Sequence, residues 1–181
     1  MIPIENATPA EVSIRRIAVG DVASFHRCLD TVAREGRYLA MLEAPPLDQV
    51  SDFVAEGRKY GIVQFVAVAA DRVVGWCDVS PIRWVGFRHS GNLGMGLLSE
   101  FRRRGIGRRL LDATLTESRR QGITRVQLEV FVSNRAAVAF SEKHGFNHEG
   151  LKRNARELDG GSEDMACMVR FLSPGGAPSG R

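Results

Sequence analysis

A short segment rich in glycine and arginine carries the clearest chemical signal in this sequence. It runs from Arg102 through Gly105 to Gly107, and Arg108 and Arg109 follow directly. An apolar alternating stretch precedes it and an amphipathic helical pattern follows it, which predicts a strand-to-helix turn. Such a turn binds anions because its N–H groups are unpaired, and glycine lets a phosphate approach the backbone closely. The segment therefore predicts a pyrophosphate site surrounded by arginines.

The spacing of these residues differs from that of the common phosphate-binding loops. No Lys-Ser or Lys-Thr pair follows the glycines, which excludes a P-loop, and the pattern Gly-x-Gly-x-x-Gly does not occur. Two other interpretations of the segment are an ordinary basic helix start and a nucleic-acid-binding patch. Single-strand binders combine basic grooves with exposed aromatic residues, and only Phe101 lies within this cluster. We therefore expect no nucleic-acid partner.

Length and composition indicate one globular domain. The chain has 181 residues, of which 44% are hydrophobic and 25% charged, and its formal net charge is +4. We predict a flexible N-terminus over residues 1–11, one domain over residues 12–172 and a flexible tail over residues 173–181. No stretch resembles a signal peptide or a membrane span, so we expect a cytoplasmic protein without a membrane partner. Three scattered cysteines have no metal-ligand spacing, so we expect no metal.

The elements that would position the loop follow from periodicity. Alternation predicts strands over 12–15, 62–70, 73–79, 92–98, 126–132, 146–151 and 163–171. Helical spacing predicts helices after Asp21, over 47–58, after Gly107 and after Asn134. Gly94 and Gly96 are unfavourable inside a strand and indicate either a bulge or a close approach to the backbone. The chain is thus predicted to be an α/β (α+β) domain with a mixed sheet.

Two motifs in the second half resemble the GNAT superfamily of N-acetyltransferases. Arg102-x-x-Gly105-x-Gly107 is similar to that family's coenzyme A loop. The segment from Leu128 to Phe146 follows the family arrangement in which an Asn, here Asn134, opens a helix that ends in Gly-Phe. The resemblance covers about residues 62–171 and is nearest to acetyltransferases of small amines and amino acids.

The resemblance implies the GNAT fold, with a mostly antiparallel sheet in which two neighbouring parallel strands splay apart. It implies that acetyl-CoA lies between those strands, that its pantetheine arm pairs with free backbone and that its pyrophosphate rests on the loop amides. Members of the family often form dimers, so the resemblance makes a homodimer one expected assembly of this chain. The residues expected to bind the cofactor are Leu97, Leu98, Arg102, Arg103, Arg104, Gly105, Ile106, Gly107, Arg108 and Asn134.

Two departures from the family pattern concern the loop and the chemistry. The family usually has Gly where this chain has Arg103, and the added side chain could reach a phosphate. Many members carry a Tyr seven residues after the Asn, which protonates the departing thiolate, whereas this chain has Ser141. A water held by Ser141 could relay that proton instead.

The base that deprotonates the acceptor amine is left open by the sequence. Four candidates have suitable side chains, namely Glu43, Asp78, His89 and Glu129. His89 titrates near neutral pH and precedes the cofactor strand, although a surface histidine is an equally good account. Glu129 points away from the apolar side of its strand, where it could instead pair with a cation. The predicted catalytic residues are therefore Ser141, His89 and Glu129.

The resemblance and the residues together predict an N-acetyltransferase that moves an acetyl group from acetyl-CoA to a primary amine of a small molecule by direct attack. The alternatives are a protein N-terminal or lysine acetyltransferase, which needs an open groove for a peptide, and a non-catalytic acetyl-CoA-binding module. Loss of the Tyr gives the last alternative some support.

Overall fold

The computed structural model describes residues 11–173. The segments predicted to be flexible, 1–11 and 173–181, lie outside the described residues except for positions 11 and 173. The single domain predicted over residues 12–172 stays a prediction.

The elements follow the order predicted from the sequence. Short 3₁₀ turns precede α1, β4 and α3. The strands are β1 (Ser13–Arg16), β2 (Val63–Ala69), β3 (Arg72–Pro81), β4 (Ser90–Leu97), β5 (Arg125–Phe131), β6 (Asn147–Leu158) and β7 (Gly161–Phe171). The helices are α1 (Val22–Ala33), α2 (Leu47–Gly57), α3 (Ile106–Arg120) and α4 (Arg135–Lys143).

The strands form one seven-stranded sheet in the order β1-β2-β3-β4-β5-β7-β6. Every neighbouring pair is antiparallel except β4 and β5, which run parallel. The parallel pairing begins at Ser90–Arg125 and ends at Asn92–Gln127, after which the strands separate. The predicted α/β fold with a mostly antiparallel sheet and a splayed parallel pair is therefore confirmed.

The two faces of the sheet are covered by different helices. On the α1 face, which carries the side chains of Trp76 and its cross-strand neighbours, the Phe25 ring of α1 meets Trp76 edge-on at 5.8 Å. On the opposite α3 face, the buried side of α3 packs against β2 and β3. Its Thr114 hydroxyl donates to the Cys77 carbonyl at 3.3 Å. Because side chains alternate along a strand, Gly94 and Gly96 lie on the α1 face and Met95 on the α3 face.

The glycines of β4 do not form a bulge. Strand β4 stays in continuous register with β3 from Gly75–Leu97 to Pro81–Gly91. A Cβ at Gly96 would lie 2.3 Å from the Trp76 ring, and a Cβ at Gly94 would lie 3.1 Å from Asp78 Oδ1. The glycines therefore make room for side chains of the neighbouring strand, which is the second of the two explanations given for them.

Strand β6 is twice as long as the segment predicted over 146–151. It continues to Leu158 and contains two extra residues between the pairs Lys152–Met165 and Arg156–Glu163. Asn154 lies in this bulge with φ 49°, and its N–H donates to Asp164 Oδ1 at 2.8 Å. The second half of β6 is largely exposed and rich in charge, so it lacks the alternating pattern that marks a strand in the sequence.

Candidate active site

The site is organised around the gap between β4 and β5. The Leu98 N–H donates to the Val74 carbonyl, which assigns the backbone groups of the even-numbered β4 residues to β3. The N–H and C=O groups of Met95 and Leu97 consequently point into the gap, where β5 no longer pairs with β4. On that edge, Met95 offers its N–H and C=O and Leu97 its N–H to an extended ligand, as an unpaired strand does, while the Leu97 carbonyl accepts from Arg102 Nε.

The loop after β4 forms a cradle of backbone amides. Within residues 11–173, the N–H groups of residues 103–108 have no hydrogen-bond acceptor, and the first α3 bond runs from the Arg109 N–H to the Gly105 carbonyl. Gly105 has φ 76°, in the left-handed region. A side chain at Gly107 would begin in contact with Leu97 and Phe140. Six free amides at a helix start form a site for a phosphate group.

Arg103 occupies an unfavourable backbone conformation in this cradle. Its φ of 59° lies in the left-handed region, which glycine adopts without strain and arginine does not. This conformation explains physically why the resembled family prefers glycine at this position. The Arg103 side chain is exposed at the cradle, as is that of Arg104.

The arginines of the segment divide into two groups. Arg104 lies over the Phe101 ring at 5.7 Å, and Arg108 makes only a long contact of 3.4 Å with Asp112. Both are exposed and remain available to an anion. Arg109 instead donates to the Val12 carbonyl at 2.9 Å, which holds it on the N-terminal side of β1.

Arg102 is engaged within the protein and is not directed at the cradle. Its Nε donates to the Leu97 carbonyl at 2.9 Å, and its two terminal nitrogens bind both carboxylate oxygens of Glu35. The guanidinium also lies over the Tyr38 ring at 4.7 Å. Arg102 was predicted to bind the cofactor, but the structure places it as a link between the end of β4 and the segment between α1 and α2.

Leu98 also has no free backbone group for a ligand. Its N–H bonds to Val74 and its carbonyl accepts the Phe101 N–H, each at 2.9 Å. Its side chain belongs to the core. Of the two leucines predicted to pair with the pantetheine arm, only Leu97 presents a backbone amide to the gap.

A cavity of about 660 Å³ fills the gap and reaches both faces of the sheet. Its α3-face wall contains Met95, Leu128, Val130, Asn134, Ala137, Phe140 and Ser141. Its α1-face wall contains Tyr38, Leu39, Ala40, Asn92, Gly94, Gln127, Glu129 and Glu149. Phe140 of the α3-face wall lies beside Gly107 of the amide cradle, so that side of the cavity is next to the phosphate site.

Asn134 at the start of α4 and Ser141 within α4 line the α3-face wall of the cavity. The Asn134 side chain accepts the Ala137 N–H at 3.2 Å, which makes it the helix cap, and it also borders the cavity. Ser141 is 5% exposed and lines the cavity, and its hydroxyl forms no hydrogen bond with any other residue of 11–173. Both residues were predicted from the sequence to lie at the site, and the fold brings them together there.

The α1-face wall is polar and mostly ion-paired. The Arg125 guanidinium binds Glu149, and the Gln127 amide donates to Asn92 Oδ1 at 2.8 Å. Glu129 is exposed and accepts from Lys152 Nζ at 2.5 Å. The predicted catalytic Glu129 therefore lies at the cavity but is already paired with a cation, as its alternative interpretation stated.

Two arginine contacts hold the segment between α1 and α2 over this wall. Arg102 binds Glu35, as described above. Arg156 of β6 donates to the Gly36 carbonyl at 3.0 Å, pairs with Glu163 at 2.5 Å and stacks on Phe131 at 4.0 Å. Nothing in the sequence indicated a role for Arg156, because Gly36 and Phe131 lie far from it along the chain.

His89 lies at the opposite end of β4 from the gap. Its carbonyl accepts the N–H groups of Thr124 and Arg125, where β4 and β5 are still joined, and the residue is exposed and does not border the cavity. The aromatic residues beside it, Trp84 and Phe87, are also exposed and away from the cavity. The prediction of His89 as a catalytic base conflicts with this placement.

About two thirds of the chain, including the site, match a known family model. The model of the "Acetyltransferase (GNAT) family" matches residues 25–146, which include the cradle, both splayed strands and α4. The chain belongs to the GNAT family of acetyltransferases.

Curated relatives match between two fifths and two thirds of this chain. A [ribosomal protein bS18]-alanine N-acetyltransferase of Salmonella typhimurium is 41% identical over 74 residues, which is 41% of this chain and 50% of that protein. The chain thus matches about half the length of that relative. An N-alpha-acetyltransferase of Saccharolobus solfataricus is 33% identical over 131 residues, 66% of this chain and 75% of that protein.

Solved structures share the fold. A putative acetyltransferase from Salmonella typhimurium, solved with acetyl-CoA, superposes with a TM-score of 0.83 at 19% identity and covers 93% of this chain and 98% of its own. A phosphinothricin acetyltransferase from Sinorhizobium meliloti, also with acetyl-CoA, gives 0.83 at 20% identity and covers 91% and 90%. Within the described residues, no helix is long and apolar enough to cross a membrane.

Proposed function

We propose that this GNAT chain is an acetyl-CoA-dependent N-acetyltransferase that acts on a primary amine of a small molecule. The observation that carries the proposal is the cavity that crosses the sheet between β4 and β5. Its α3-face wall includes Phe140, which lies beside Gly107 of the phosphate-binding cradle, and its α1-face wall is polar, so the two faces suit the two molecules of a transfer reaction.

The residues of the cleft fit coenzyme A. The free amides of residues 103–108 and the exposed guanidinium groups of Arg104 and Arg108 suit a pyrophosphate. The backbone groups of Met95 and Leu97 suit the amides of a pantetheine arm, which would extend along β4 like an added strand. Acetyl-CoA supplies an acetyl thioester, whose carbonyl carbon an amine attacks while the sulfur leaves.

The cavity walls supply the groups that such a transfer needs. The free Met95 N–H can donate to an oxygen that gains negative charge in the transition state. The Ser141 hydroxyl can hold a water that passes a proton to the departing sulfur. Glu129 is a candidate base, although its carboxylate is already paired with Lys152.

The fixed segment between α1 and α2 favours a small acceptor. Its Glu35 and Gly36 are held by Arg102 and Arg156, which stand on opposite sides of the cavity. A segment held at both sides narrows the entrance on the α1 face, whereas a peptide needs an open groove. A peptide N-terminus is the second candidate, because one relative described above is named a [ribosomal protein bS18]-alanine N-acetyltransferase and the other an N-alpha-acetyltransferase.

A thiol-release assay with acetyl-CoA tests the proposal directly. The acceptors are free amino acids, simple primary amines and a peptide that begins with alanine, and Gly107→Glu serves as the control for transfer that does not use the cradle. We expect turnover with a small amine that exceeds the control at least a hundredfold. Turnover with the peptide alone would assign the second candidate, and no turnover with any amine would contradict the enzyme.

A further inference from the structure

Asp78 is an acidic residue in contact with the position of Gly94, which lines the cavity, while Asp78 itself lines a separate narrow recess. It stands in the middle of β3 opposite Gly94 of β4, with its side chain on the α1 face. Its Oδ1 is 3.1 Å from the position that a Cβ at Gly94 would occupy. The carboxylate therefore passes over the β4 backbone at Gly94, and Gly94 itself borders the cavity.

The surroundings of Asp78 provide no cation. A narrow recess beside it is lined by aromatic and aliphatic side chains from α1, α2 and β2, and its polar residue, Gln64, is an uncharged amide that donates to the Phe53 carbonyl. Cys77 lies between Trp76 and Asp78 in β3, so its thiol points to the opposite α3 face, and among the described residues no other side chain lining the recess is titratable. Burial raises the pKa of Asp78 to about 7, opposed only by a hydrogen bond from Ser80.

Asp78 differs in this respect from the other acids around the cavity. Glu129 is paired with Lys152, and Glu149 is paired with Arg125. A half-buried carboxylate without a cation in contact lowers the stability of a fold, so packing does not explain its presence. Such groups are concentrated at functional sites, where a ligand supplies the missing charge.

We propose that Asp78 binds the ammonium group of the acceptor and takes its proton before acetyl transfer. This inference rests on the N-acetyltransferase function proposed above and applies to either class of amine. The proton moves from the ammonium nitrogen to the Asp78 carboxylate, which leaves a lone pair on the nitrogen. That lone pair forms the C–N bond, and the C–S bond breaks with its electrons on sulfur. The nitrogen, now positively charged, gives up its second proton, which passes through water to the thiolate.

Gly94 has a defined part in this arrangement. A methyl group at that position would meet Asp78 Oδ1 at 3.1 Å, between the carboxylate and the cavity. The absence of a side chain at Gly94 thus opens the path from the acceptor to Asp78. Gly94 is a positioning residue in this account, because it acts through Asp78.

The test compares Asp78→Asn with Asp71→Asn in the full chain. Asp71 is exposed in the β2–β3 turn with φ 58°, a conformation that asparagine tolerates, so it is a matched control for loss of one acidic group. We expect Asp78→Asn to lower kcat/KM for the amine at least a hundredfold, as loss of a general base does, with CoA affinity within twofold of wild type. Wild-type kcat/KM should rise with pH near 7, as the Asp78 carboxyl loses its proton. This rise should be absent in Asp78→Asn.

A second variant protects the test against a general structural effect. Gly94→Ala keeps the carboxylate but obstructs its path, so we expect kcat/KM to fall at least tenfold while CoA still binds. Asp78→Asn that retains a third of wild-type kcat/KM, or keeps the rise near pH 7, overturns the role of Asp78 and leaves the enzyme assignment standing. A wild type that acetylates no amine overturns both.

Discussion

Replacement of Arg102 by alanine distinguishes a structural link from a phosphate ligand. The guanidinium forms two charge-assisted bonds with Glu35 and lies over Tyr38, and the side chains of Arg102 and Glu35 are 28% and 26% exposed. Charge-assisted bonds contribute about 1.5–3 kcal/mol and an aromatic contact about 0.5–1 kcal/mol. Partial exposure lets water solvate the remaining Glu35, so we reduce the expected loss to about 2 kcal/mol.

A loss of this size is easily measured by thermal unfolding. For a chain of this length, 1 kcal/mol shifts Tm by about 2–4 °C, so Arg102→Ala should lower Tm by about 4–8 °C. Calorimetry with CoA should show a change in affinity below about threefold, because the side chain is turned away from the cradle. Arg104→Ala should show the opposite pattern. Its Tm should stay near that of wild type, while its affinity for CoA should fall about tenfold, and this fall should be smaller at high salt.

Arg72→Ala is the matched control for this prediction. Arg72 also forms one ion pair, with Glu100, and lies over an aromatic ring, that of Phe101, but its side chain and that of Glu100 are more than half exposed. We expect its Tm to fall by less than about 2 °C. The reasoning is refuted if Arg102→Ala leaves Tm within 1 °C of wild type and weakens CoA binding more than about tenfold.

Three further variants test other parts of the site. Gly107→Glu should abolish CoA binding in calorimetry without loss of fold, since a carboxylate would face the phosphate position; affinity within about threefold of wild type would contradict the cradle. Arg103→Gly should raise the free energy of unfolding by about 0.5 kcal/mol in denaturant titrations, as relief of left-handed strain outweighs glycine's entropy cost, and a lower value would refute that balance. Ser141→Ala should reduce kcat less than about tenfold if water relays the proton, whereas a loss of several hundredfold would make the hydroxyl itself the donor.

The sequence revealed the elements whose signals are local. Alternating apolar residues and paired glycines identified β4, the cradle and α4, because periodicity and helix caps act over a few residues. Long-range pairing was invisible: nothing near Arg102 in the chain indicates that Glu35 will bind it. The same limit applies to Asp78, which the sequence offered as one of four candidate bases and which only the register with Gly94 distinguishes.

His89 shows the opposite error, where a suitable residue type and proximity in sequence to the cofactor strand were misleading. A residue that precedes a strand lies at the strand's beginning, and the strands here separate only toward their ends. The direction of the splay is a property of the whole sheet, and no pattern near His89 reports it.

The open edge of β4 has a consequence for handling the protein. Unpaired N–H and C=O groups in the middle of a sheet are a template for the strand of another molecule, and β4 is protected there only by the width of the gap. Anything that fills the gap and binds only the folded state raises the unfolding temperature in proportion to the logarithm of its concentration. Preparations depleted of CoA should therefore be the ones that aggregate first on warming, and adding CoA during purification should extend their useful life.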